Sequence, residues 1–120
     1  MQGRRADRVS TLIQEEISRL ILQSVKDPRI GFVAVTHVRV SDDLRQAMVY
    51  IASNRGEEKQ RQEVLIGLKH AAGFLRGELG RRLTLRYVPE ILFSLDDSLE
   101  QDLHLDKLFR QIEATETQEQ

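Results

Sequence analysis

Cysteine is missing from the 120-residue chain, which removes disulfides, thiolate metal sites and cysteine nucleophiles together. Tryptophan is missing too, and aromatic residues make up only 5 % of the chain. Few platforms for stacking unpaired bases are therefore expected. Apolar runs last only a few residues and 31 % of side chains are charged. No segment reads as a membrane span or as the core of a signal peptide, so the expectation is a soluble, cytoplasmic protein with no membrane partner. The phosphate-binding GxxxxGK, dinucleotide GxGxxG and nucleophile GxSxG patterns are all absent. His37, His70 and His104 fall in separate predicted elements without HExxH or HxH spacing, and read as surface or packing residues. The adjacent carboxylates Asp42-Asp43 and Asp96-Asp97 read as turn caps rather than acid–base or magnesium sites. No catalytic residue, metal, cofactor or small-molecule substrate is expected, and enzyme is the weakest function class.

Charge is present in quantity and unevenly placed. Net charge is −1, but Met1 to Glu90 holds 16 Lys+Arg against 11 Asp+Glu, whereas Ile91 onward holds 2 against 8. A basic body precedes an acidic end. Val9, Leu12, Ile13, Ile17, Leu20, Ile21 and Val25 recur every three or four residues, predicting a core-facing helix from about Arg5 to Val25. Asp7 is the candidate cap and Pro28 the stop. Phe32 to Val40 and Gln46 to Ser53 alternate as an antiparallel hairpin, with a bulge where the phase slips at Thr36-His37 and a turn at Ser41-Asp42-Asp43. Val88 to Leu95 predicts a third strand entered through Pro89. Ser98 and Gln101 make a capping-box pattern ahead of Leu105, Leu108, Phe109 and Ile112, a short closing helix. Residues 1–114 are expected to form one domain, followed by a polar tail at 115–120.

The stretch Leu65 to Leu83 organises the rest. Leu65, Leu68, Ala72, Leu75 and Leu79 form a helical stripe, yet Gly73, Gly77 and Gly80 interrupt it at about 1 kcal/mol each relative to alanine. Lys69, Gly73, Arg76, Gly77 and Gly80 fall on a second stripe, both cationic and small. Such a stripe admits the close approach of a phosphodiester backbone; it also fits a kink at Gly73 and helix packing or a helix end at the other glycines. Arg4, Arg5, Arg8, Lys69, Arg76, Arg81, Arg82 and Arg86 are the candidate RNA-binding residues, fixing phosphates on folded RNA without reading sequence. The competing reading is a protein-interaction module whose hairpin edge or first helix docks a partner.

Several blocks, in order and in one register, carry a family resemblance: Val25-Lys26-Asp27-Pro28-Arg29-Ile30, Val40 to Leu44, Val49-Tyr50, Ala71 to Arg76, Leu79-Gly80, and Leu85 to Glu90. Together they resemble bacterial ribosome-binding factor A across roughly Arg5 to Ile112. The resemblance implies an α+β, type II KH-like fold, α-β-β-α-α-β, with a three-stranded sheet. In it an Ala-x-Gly kink between two helices replaces the usual GxxG loop, and Ala71 and Gly73 stand at those positions. It also implies a non-enzymatic, monomeric factor that binds the free small (30S) ribosomal subunit and contacts its 16S rRNA. Late maturation and processing of that RNA, notably in cold shock, is the implied role.

Overall fold

The apolar spacing at the start of the chain is realised as α1, Arg4–Ser24, with Ala6, Val9, Ile13, Ile17, Leu20 and Ile21 buried along one face. The computed structural model describes residues 4–54 and 56–96. Ile13, Ile17 and Leu20 are at most 1 % exposed, so each contributes roughly 1.5–3 kcal/mol of burial. Asp7 lies inside the first turn rather than capping it, where negative charge is favoured by the positive end of the helix dipole. Leu12, expected in the core, is 44 % exposed, because it sits one residue round from Ile13, on the flank of the stripe.

The hairpin is β1, Val33–Val40, and β2, Gln46–Ser53, antiparallel with a register shift between Val35 and His37, as the slipped alternation predicts. Thr36 is the extra residue, and its hydroxyl is directed to the Asp96 carboxylate at 3.0 Å and the Tyr50 carbonyl at 3.2 Å. Next comes α2, Glu58–Arg82, and then β3, Glu90–Leu95, which pairs parallel to β2 from Gln46↔Glu90 to Ile51↔Leu95. A parallel partner cannot be reached by a tight turn, so α2 is the crossover between β2 and β3. The sheet order is β1-β2-β3. Ala47, Val49, Ile51 and Ile91 enter the core that both helices cover; Met48 and Tyr50 point to the other face, where Tyr50 stacks on His37.

The two helices expected around Ala71 and Gly73 are one. Helix runs unbroken from Glu58 to Arg82, and Val64, Leu68, Leu75 and Leu79, all at 0 % exposure, keep one stripe on both sides of Gly73. Burial of four such side chains exceeds the helix-propensity cost of the glycines between them. Leu65, expected in that stripe, is only half-buried, and Val64 takes its place. The predicted closing helix, the tail at 115–120, His104 and Asp97 lie outside the described residues.

Candidate nucleic-acid interface

At one end of the molecule the start of α1, the hairpin turn and the loop from α2 to β3 meet. The loop is held from three sides. Arg76 donates from Nε and Nη2 to the Val88 carbonyl at 3.2 and 2.9 Å, and Pro89 is fully buried. A Cβ on Gly80 would stand 3.2 Å from Val88 Cγ2, so the small residue there admits the chain's own loop. Glu90 N–H donates to the Arg45 carbonyl at 2.8 Å, tying the entry of β3 to the hairpin turn. Between these ties Arg86 and Tyr87 are pushed outward: Tyr87 is 65 % exposed, with the Arg86 guanidinium 5.6 Å over its ring.

The turn opposite is built by Asp43, whose carboxylate accepts from Ser41 Oγ at 2.6 Å and from Arg45 N–H at 3.1 Å. Those bonds hold its pKa below the ordinary carboxylate value, chiefly through Ser41. Leu44 follows with φ of +63°, left-handed backbone that a branched side chain adopts at a cost of about 1–2 kcal/mol. Packing of its side chain against the core holds it there.

Arg5 and Arg8 from α1, Leu44 from the turn, and Arg86 and Tyr87 from the loop line one concavity of about 200 Å³, with Leu12 beside them. Among the described residues no carboxylate lines it, and no ion pair engages Arg5, Arg8 or Arg86. Three guanidiniums thus face solvent without local neutralisation, the arrangement that draws an anion.

The remaining predicted cations divide. Arg81 pairs with Glu78 at 2.7 Å, and Arg82 bridges Glu78 at 3.3 Å and Glu16 of α1 at 3.2 Å. Arg81 first, then Arg82, lowers the pKa of Glu78. The Arg81 charge is partly neutralised within α2, and that of Arg82 also stitches α2 to α1. Arg76 is held on the Val88 carbonyl, a neutral acceptor that leaves its charge in place. Lys69 stands apart, beside an apolar concavity formed with Leu65, Ile66 and Phe93 along β3. Arg4 is the first residue of α1. Of the small stripe, Gly73 is open, with nothing within 4 Å of where a Cβ would stand, and Gly77 meets only the tip of Arg81. Of the candidate cations, Arg5, Arg8 and Arg86 are brought together round one concavity, and Lys69 lines another. Tyr87 and Leu44 were not legible as candidate site residues, although an aromatic next to Arg86 and two residues before Pro89 was the available signal.

The sequence profile of ribosome-binding factor A matches residues 5–109. The chain belongs to the ribosome-binding factor A family. A relative of that name from Halothermothrix orenii is 47 % identical over 116 residues, 97 % of this chain and 94 % of its own. The crystal structure of ribosome-binding factor A from Thermus thermophilus superposes with a TM-score of 0.66 at 26 % identity, covering 75 % of this chain and 93 % of that one. A third likeness, TM-score 0.59 at 28 % identity over 71 % of this chain and 88 % of the other, is to a homology model of the Thermus thermophilus factor as fitted into a cryo-electron-microscopy map of its complex with the 30S subunit. The family's α+β architecture is the one found here: among the described residues, two helices on a three-stranded mixed sheet. No helix among the described residues is long and apolar enough to cross a membrane.

Proposed function

We propose that this chain binds the free small ribosomal subunit through phosphates of its 16S rRNA and assists late maturation and processing of that RNA, as a cytoplasmic monomer without catalytic chemistry. Residues 1–114 form the binding domain and 115–120 a polar tail. The family's relative in complex with the 30S subunit supports the partner, and the unpaired Arg5, Arg8 and Arg86 around one carboxylate-free concavity are the observation that carries the mode of contact. Phosphate neutralisation releases counterions, so affinity falls steeply with salt. Co-sedimentation with free small subunits and with assembled ribosomes across a salt series tests this. Retention on free small subunits, lost as salt rises, is the expected result. Retention indifferent to salt would instead assign the contact to an apolar protein dock.

A further inference from the structure

We propose that the concavity between Arg8 and Tyr87 holds one unpaired nucleotide, its base stacked on the Tyr87 ring and its phosphate among Arg5, Arg8 and Arg86. This rests on the RNA-binding reading above and narrows it from folded RNA in general to a single-stranded element. Tyr87 is the most exposed large side chain of the hydrophobic class in the described residues, 65 % open against 44–48 % for Leu12, Ile66 and Phe74. An open ring costs burial energy that this small domain can otherwise use, and Arg86 over one face leaves the opposite face for a planar guest. A base inside a duplex is already stacked on both sides and cannot occupy that position, whereas a splayed-out base can.

Size and charge point the same way. About 200 Å³ is below the roughly 300–1,000 Å³ of a site that encloses a drug-sized ligand, and suits one planar group at a surface. Cations on both walls, from α1 and from the loop, flank the ring, so a backbone crossing the concavity meets a guanidinium on either side of its stacked base. Leu44 supplies an apolar part of the wall, its left-handed backbone held by packing of its side chain against the core.

The chain carries no tryptophan and two tyrosines, so Tyr50→Phe leaves Tyr87 as the sole strong emitter. Tyr50 stacks on His37 on the sheet face opposite the core, and phenylalanine keeps that ring. The single-tyrosine protein is titrated at low salt with a 12-nucleotide oligouridylate, with a 12-base-pair RNA duplex, and with oligoglutamate of similar charge. Saturable quenching of Tyr87 by the single strand, at least several-fold tighter than by the duplex, is expected. In the wild-type background Tyr87→Phe keeps affinity for the strand, while Tyr87→Leu lowers it about tenfold with little change in salt slope, because the phosphate contacts remain. Circular dichroism of these exposed-site variants confirms the fold. Unchanged Tyr87 emission at saturation, equal affinity of Tyr87→Leu, or oligoglutamate binding as tightly as the strand would each overturn the nucleotide site. Small-subunit co-sedimentation of the wild type, run in parallel, separates the two readings. Its persistence alongside a silent Tyr87 leaves the subunit reading intact, and its absence at every salt removes the premise of both.

Discussion

Two glycines of α2 that look alike in the sequence have opposite surroundings. A Cβ at Gly67 would fall 2.8 Å from Ile30 Cγ1 and 3.3 Å from Asp27 Oδ2, and Ile30 is itself buried at 3 % exposure. Overpacking there costs about 1–3 kcal/mol and outweighs the ~1 kcal/mol that alanine contributes to a helix. Gly67→Ala is therefore expected to lower the denaturant midpoint. Gly73→Ala meets open space and is expected to raise stability by up to about 1 kcal/mol in the same urea titration. If subunit binding falls while stability rises, Gly73 is kept small for a partner's approach. The neighbour of Gly67, Asp27, accepts from Arg29 Nε at 3.0 Å and from Arg29 N–H at 3.0 Å. The Arg29 side chain, more than any other cause, holds its pKa down at about 2 against an ordinary 3.8. A carboxyl depressed on folding stabilises the protein fully above pH 3.8 and loses that contribution as pH falls through about 2. Asp27→Asn is expected to flatten the acid limb of the stability profile over that window, measured by chemical denaturation from pH 5 to pH 2 in steps of about half a unit.

Between elements, polar ties do what the apolar stripe cannot. Arg82 joins the end of α2 to Glu16 of α1, and Arg76 joins the middle of α2 to the loop that presents Tyr87. Arg76→Ala is expected to cost at most about 1 kcal/mol in global stability. Its larger effect falls on the loop, read as faster amide exchange of residues 84–88. Arg81→Glu places a carboxylate beside Glu78 at the far side of α2's last turn, whereas Arg8→Glu places one in the concavity itself. Arg8→Glu is expected to weaken subunit binding several-fold and to reduce the salt slope by roughly one phosphate's worth, with Arg81→Glu weaker on both counts. Equal effects would mean that the paired end of α2 is also in the interface.

In the molecule taken whole, one face of the sheet is covered by both helices while Arg5, Arg8 and Arg86 gather round one concavity at an end of the layer. On the proposed phosphate contact, log K for the subunit against log salt is expected to be linear with a slope of a few units rather than the steep slope of eight converging cations. A slope matching all eight candidates would show that Arg76, Arg81 and Arg82 leave their partners on binding.

What was legible in the residues is the part that local periodicity controls. Three- and four-residue spacing located α1, alternation located the hairpin, and the slipped phase at Thr36-His37 located the bulge, because each reports a repeat of backbone geometry. Ordered family blocks located the fold class. Continuity of α2 through Gly73 was not legible, since the glycine penalty is local while the burial of Leu68 and Leu75 that overrides it is tertiary. Nor was the division of the cations, for a sequence shows charge but not the carboxylate that neutralises it. Glu16 meets Arg82 across 66 residues, and Arg5 meets Arg86 round one concavity only because β3 is parallel to β2 and delivers its entry loop to the hairpin turn. Residue pattern alone specified α1, the hairpin and β3, and how much positive charge the body carries. Tertiary structure alone decided where that charge is left unpaired and which aromatic ring stands open beside it, because both depend on neighbours distant in the chain.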